Sequence, residues 1–334
     1  MYDKIKAGVS ARVAEILDKD AEAFEFFKKD GSLNKNAFVT RLIVNYNAAF
    51  RARQARIFDV LKSGMEGKSG MGGEKLNFLC RELVLKLERR GYEGVKSDKT
   101  VSVKPTRESA PVIDYIENYC LSGGSLSEYF RNMFTAYTSL PQDEREKIIF
   151  LPQYNAITQA IARGKQLFLV TSGSSDGRRM QVQPYSVVTS KEEMHCYLLA
   201  ANTAGECLPL RLSRIISVVQ IEEDTSFTGG QLATFARMAA FGPQYRYSGS
   251  EEEVVVRLTE KGIKMFRAMY VHRPVPTKID VDRYHFNCSY MQLFQYFVRF
   301  GKDAFIVKPA ELRDRIKRFY AAGIRSYKAS KKEN

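Results

Sequence analysis

The sequence predicts an α+β chain of several domains, and three observations predict it. Apolar residues recur at helical spacing through the first half, change to a period of two from Gln166, and mix the two periods from residue 253 on. Five glycines crowd residues 62–74 (KSGMEGKSGMGGE) with no packing pattern, which marks a flexible linker and a boundary. A length of 334 residues leaves room for several cores, and a composition of 44% hydrophobic and 27% charged residues excludes wholesale disorder and fibrous classes.

In chain order, residues 4–9 (KIKAGV) alternate polar and apolar, as a short strand does, with Lys4, Lys6 and Gly8 on one face. Ser10 caps a helix carrying Val13, Ile16, Leu17, Ala21 and Phe24, and Asp30-Gly31-Ser32 breaks the chain after it. Asn34 caps a second helix whose stripe is Phe38, Leu42, Tyr46 and Phe50, continuing through Arg51, Arg53 and Arg56. Beyond the glycines, Leu76, Leu79, Leu83 and Leu87 mark a helix, residues 94–109 read as a loop or short strand, and 115–137 hold one or two more helices. Five short strands follow at 167–171, 180–188, 194–201, 208–212 and 215–221, a spacing that predicts a small barrel. After Phe227 the order is strand 253–258, helix 260–268, a strand near Met269, strand 280–288, helix 290–300, strand 305–307 and helix 309–320, which fits a split β-α-β unit. The expected domains are 1–61, the linker 62–74, a helical segment 75–150, the barrel 151–225 and a basic C-terminal domain 226–334.

The net charge of +14 is unevenly spread: residues 254–334 hold 18 Lys+Arg against 7 Asp+Glu, whereas residues 1–56 hold 11 against 7. A field of this sign draws polyanions by steering and counterion release, so nucleic acid is the first partner to consider and an anionic membrane surface the second. No run approaches 18 apolar residues and the first 30 are charged, so the sequence predicts neither a membrane span nor a secretion signal, and a cytoplasmic location. Five cysteines, widely spaced and without a CxxC pair, read as reduced core thiols.

Catalytic motifs do not hold together. Gly173-Ser174-Ser175-Asp176-Gly177 matches G-x-S-x-G, but a strand rather than a helix follows it, so a hairpin loop is expected. Gly67-Lys68-Ser69 lacks the earlier glycine and the preceding strand of a phosphate-binding loop. His195, His272 and His285 lack the partners that metal binding needs, and the carboxylate pairs fall in turns. The expectation is a non-enzyme with no cofactor and no metal. What remains is a cluster of Arg178, Arg179 and Tyr185 with Tyr197, Arg211 and Arg214, where guanidinium forks beside tyrosine rings suit phosphates and stacked bases.

At these residues the sequence resembles the WYL-domain family. Pro184-Tyr185-Ser186-Val187-Val188, Cys196-Tyr197-Leu198-Leu199-Ala200 and Arg211-Leu212-Ser213-Arg214-Ile215 look like that family's three strands, with Cys196 where its tryptophan usually stands. The resemblance implies an Sm/SH3-like β-barrel, followed by a ferredoxin-like α/β extension that runs from Val254 through Arg299 to Arg313. The first 56 residues look like a ribbon-helix-helix module, which implies a homodimer paired through the strand, with Lys4 and Lys6 facing duplex DNA. The whole order, together with residues 132–150, resembles the accessory WYL proteins of type VI-D CRISPR systems. That implies a homodimer that binds single-stranded RNA and modulates an RNA-guided effector, with Arg178, Arg179, Tyr185, Tyr197, Arg211, Arg214, Arg299, Arg313, Lys4 and Lys6 as the contact set. The alternative is a homodimeric transcriptional regulator that binds duplex DNA and senses a ligand in the barrel.

Overall fold

Ser10 and Asn34 cap the helices the sequence assigns to them: Ser10 Oγ accepts from Val13 N at 3.3 Å and Asn34 Oδ1 from Ala37 N at 3.2 Å. The computed structural model describes residues 4–67, 70–90, 98–121, 124–172, 178–247 and 251–330. Among these, the chain forms eleven α-helices and three antiparallel sheets, and it divides into two units, Met1–Pro152 and Gln153–Asn334.

In the first unit, β1 (Ile5–Val9) leads into α1 (Ala11–Ala23), α2 (Lys35–Met65) and α3 (Gly73–Arg90), and β2 (Lys99–Val103) leads into α4 (Ala110–Tyr119), α5 (Leu126–Thr138) and α6 (Gln142–Ile149). The alternation of residues 4–9 does what it predicts: Ala7 and Val9 are buried while Lys4 and Lys6 are exposed. The strand's partner, however, is β2 of the same chain, with Ile5 opposite Val103 and Val9 opposite Lys99. The other edge of β1 is also occupied, because Ser127 Oγ donates to the Lys6 carbonyl at 2.8 Å and Arg131 Nε to that of Gly8 at 2.7 Å. The ribbon is therefore completed within one chain rather than by a second copy, a pairing across 94 residues that local periodicity cannot reveal.

The helices close over Phe24, Phe38, Phe50, Phe130, Phe134 and Tyr137, all fully buried or nearly so. One carboxylate lies inside this core: Asp20 accepts from Arg145 Nε at 2.7 Å, Arg145 Nη2 at 2.8 Å and Tyr137 Oη at 2.9 Å. Burial, and then the Asp20 charge, push the Tyr137 phenol well above its ordinary range. The expected linker is shorter than the glycine run, since Gly64 lies in α2 and Gly73 opens α3.

The second unit begins within α7 (Leu151–Arg163). Its first sheet holds β3 (Lys165–Thr171), β4 (Arg178–Thr189), β5 (Cys196–Asn202), β6 (Cys207–Arg211) and β7 (Ile215–Asp224), in the order β6-β5-β4-β3-β7. All five expected strands are present, but they do not close into a barrel: β6 and β7 are the two edges, joined by the 3-10 turn Leu212–Arg214 with no ladder between them. That turn brings the two edges to one corner, so the sheet is curled yet open. A capping box at Thr228 and Gln231 starts α8 (Gly229–Phe241), whose Phe235 and Met238 cover the sheet.

The second sheet follows as β8 (Val254–Leu258), α9 (Glu260–Ala268), β9 (Lys278–Asp280), β10 (Arg283–Phe286), α10 (Tyr290–Phe297), β11 (Ala304–Lys308) and α11 (Ala310–Ser330), with strand order β11-β8-β10-β9. The strand expected near Met269 is absent. The hairpin partner is β9, and two positive-φ residues, His272 at 57° and Val281 at 54°, lie on either side of it. Gly262 allows α9 to approach Asp303, where a Cβ would stand 2.1 Å from the carbonyl oxygen.

Candidate nucleic-acid interface

Four of the predicted arginines meet at the corner where β6 hands over to β7. Thr171 ends β3 opposite Arg178 at the start of β4, Val170 stands opposite Arg179, and Ser172 N donates to the Arg214 carbonyl at 2.8 Å. Across the sheet, Arg211 lies directly opposite Tyr197. The result is a cleft of about 980 Å³ lined by Arg178, Arg179, Arg211 and Arg214, joined by Arg246. Among the described residues Glu193 is its only lining carboxylate, and that side chain already accepts from Tyr197 Oη. Guanidinium groups gathered this way repel one another unless an anion lies between them, and their planar forks match phosphate oxygens.

The two tyrosines are placed differently from one another. Tyr185 stacks on Phe235 with ring centroids 4.6 Å apart and an interplanar angle of 11°, and Phe227 meets it edge-on at 5.6 Å. Tyr197 is 7% exposed. Tyr185 therefore belongs to the packing of the sheet, whereas Tyr197, though largely buried, still forms part of the cleft's lining beside the arginines. Arg211 is held by His195, Nη2 lying 2.6 Å from Nε2, which gives a structural use to a histidine the sequence left without one.

Arg299 lines a neighbouring cleft of about 560 Å³ that shares Glu193, Tyr197, Gln244 and Met291 with the first. The two form one groove. Glu192 shapes its wall: it accepts from Gln244 Nε2 at 2.7 Å, Tyr245 Oη at 3.1 Å and Gln292 Nε2 at 3.3 Å, and lies 2.8 Å from His272 Nδ1. Arg313 is elsewhere; it is partly buried, and its Nη1 donates to the Val307 carbonyl at 3.4 Å at the end of β11. Lys4 and Lys6 belong to the other unit.

Sequence reasoning missed Arg246. Its signal was the alternation Tyr245-Arg246-Tyr247, in which both tyrosines are buried and the arginine is exposed. The G-x-S-x-G segment and two residues of Gly67-Lys68-Ser69 lie outside the described residues. Among the described residues there is no cluster of three or more potential metal ligands, and no helix is long and apolar enough to cross a membrane.

Fold and site together define an α+β chain of three antiparallel sheets with an arginine-lined groove on the second unit. Among solved structures, that fold is similar to the crystal structure of a CRISPR Cas-related protein: 21% identity, a TM-score of 0.67, and coverage of 99% of this chain and 95% of that one. At this identity the likeness shows the fold alone. Proteasome accessory factor B/C of Arthrobacter aurescens superposes at a TM-score of 0.25 with 17% identity over 68% of this chain and 37% of its own, too loosely to carry an argument. No family model matches the chain, and no curated protein matches it.

Proposed function

We propose that the chain is a non-enzymatic, CRISPR-associated accessory protein that holds single-stranded RNA in the arginine groove and modulates an RNA-guided effector. The observation that carries this reading is the convergence of Arg178, Arg179, Arg211, Arg214 and Arg246 on one cleft with, among the described residues, a single carboxylate. A concave positive groove tracks a flexible, unpaired backbone better than the convex surface of a duplex. The fold shared with a CRISPR Cas-related protein supports the system, and the +11 excess of residues 254–334 supports the polyanion. The test is filter binding of single-stranded RNA, single-stranded DNA and duplex DNA: the reading expects preference for single-stranded RNA, and fails if duplex binds equally well. Arg211→Ala with Arg214→Ala weakens binding while leaving the chain folded.

A second reading has its own support. The ribbon turns Lys4, Lys6, Thr100 and Lys104 outward as exposed residues, with Ser102 opposite Lys6, so one chain presents a basic two-stranded surface of the kind that enters a major groove. A transcriptional regulator would use that surface on duplex DNA. Footprinting on its own promoter with Lys4→Ala and Lys6→Ala separates the two: loss of a specific footprint favours the regulator, and no footprint in either protein favours the RNA reading.

A further inference from the structure

The two-stranded ribbon of the first unit has one edge that the fold closes and one that it leaves open. The carbonyls of Lys6 and Gly8 accept from Ser127 Oγ and Arg131 Nε, so both residues turn their backbone groups away from β2. In an antiparallel pair, the residues opposite such positions turn their own groups away on the other side. Those residues are Ser102, opposite Lys6, and Thr100, opposite Gly8. The outer edge of β2 therefore presents the N–H and C=O of Thr100 and Ser102, and among the described residues nothing bonds them. Open edges of this kind template the addition of another strand.

The next position of the same parity, Lys104, shows what the edge accepts. Asn36, in the first turn of α2, takes the Lys104 N–H on Oδ1 at 2.9 Å and donates Nδ2 to the Lys104 carbonyl at 3.1 Å. One side-chain amide thus stands where the peptide group of a third strand would stand. A cleft of about 980 Å³ continues from it, with β2 along one wall and α1 and the start of α2 along the other. Leu17, Phe38 and Val39 are part of its apolar lining. Of its charged groups, Lys19 pairs with Glu15 and Lys35 with Asp18, each at 2.7 Å. Lys4, Lys99 and Lys104 form no ion pair among the described residues, and of the lining carboxylates only Glu22 is left against them.

These features define the occupant. The surplus of lysines calls for an acidic one, and the two open carbonyls call for amide donors, which a phosphate backbone does not have. The pleat sets the pattern: residues opposite Thr100 and Ser102 share the ribbon face of Lys4, Lys6 and Lys104, while the residue between them turns to the apolar side. We propose that the outer edge of β2 is a docking site for an extended acidic peptide of a partner protein, added antiparallel as a third strand. Acidic side chains lie opposite Thr100 and Ser102, and apolar ones alternate with them. The site belongs to the first unit and uses no RNA, so it stands or falls separately from the arginine groove.

The experiment is fluorescence anisotropy of a labelled Val-Glu-Val-Glu-Val peptide with the full-length, nucleic-acid-free protein. Saturable binding is expected, with Val-Lys-Val-Lys-Val weaker by roughly tenfold or more. Methylating the two glutamate amide nitrogens removes the donors that face β2 and is expected to cost roughly tenfold or more on the native protein. Ser102→Pro removes only an outward N–H, because the ladder to β1 runs through Val101 and Val103, and is expected to weaken binding to a similar degree. Ser102→Ala keeps the native affinity, since the backbone and not the hydroxyl makes the contact. The proposal is overturned by no saturable binding, by equal binding of the lysine or methylated peptide, or by native affinity in folded Ser102→Pro protein.

Discussion

The Asp20 network offers a sharp test of how the first unit is held together. Asp20→Ala removes the acceptor of both Arg145 bonds and of the Tyr137 hydroxyl, inside a core where the Asp20 and Arg145 side chains are 3% and 12% exposed. Breaking one partner of a buried pair costs about 3–5 kcal/mol, mostly because the remaining charge stays buried without compensation. Arg145 keeps its bond to the Leu140 carbonyl and a sliver of solvent, which places the expected loss near the bottom of that range, about 3 kcal/mol. For a unit of this size, that lowers the melting temperature by roughly 6–12 °C. The control is Lys35→Ala, which breaks the pair with Asp18 at 60% and 47% side-chain exposure and is expected to cost under about 1 kcal/mol. The assay is urea denaturation followed by circular dichroism, completed as a double-mutant cycle with Arg145→Met. Replacing both partners removes the stranded charge, so Asp20→Ala with Arg145→Met is expected to lose less than the sum of the two single changes. If Asp20→Ala behaves like Lys35→Ala, or if the cycle shows no coupling, the network is not what secures α1 to α6.

Three further predictions concern the second unit. Gly262→Ala gains about 1 kcal/mol of helix propensity but drives a Cβ to 2.1 Å from the Asp303 carbonyl, so a net loss of about 2 kcal/mol is expected in denaturant titration; a gain in stability contradicts the close approach. Glu192→Ala leaves Gln244, Tyr245 and Gln292 without their shared acceptor and is expected to cost about 2–4 kcal/mol, read by hydrogen exchange in α10. Burial pushes the Cys288 thiol from 9.0 up to about 12, and burial likewise raises Tyr296 from 10.0 to about 12. The native state then holds these protons more tightly than the unfolded chain, so their stabilisation is full below pH 9 and is lost as pH rises from 9 to 12. Cys288→Ala is expected to flatten the alkaline limb of the stability curve; an unchanged limb contradicts the burial.

Local elements were legible because their causes are local. The helix predicted at 260–268 appears with those bounds, since Thr259 caps it and the buried Phe266 anchors it. The five strands from Gln166 likewise follow from period-two alternation. What the sequence could not show is what lies beside what. β2 pairs with β1 from 94 residues away, and Tyr185 and Tyr197 look like surface aromatics until Phe227, Phe235 and the sheet itself cover them. The arginines were legible as a group because Arg178, Arg179, Arg211 and Arg214 all sit at strand ends, and a curled antiparallel sheet brings such ends together. Arg313 was not separable from them by residue type: it lies in the first turn of α11, and only the structure shows its Nη1 turned to the Val307 carbonyl.

The central claim is that the groove arginines neutralise the phosphates of a single strand. For single-stranded nucleic acid, log K falls with log salt at about −0.7 per phosphate contacted, so the five arginines of the cleft predict a slope near −3.5, or roughly a hundredfold loss of affinity between 50 and 200 mM salt. The direct measurement is that slope for single-stranded RNA in the native protein and in the variant carrying Arg178→Ala, Arg179→Ala, Arg211→Ala and Arg214→Ala. The account predicts that the variant binds weakly with a slope about 2.8 shallower. An unchanged slope in folded variant protein would place the RNA somewhere other than this groove.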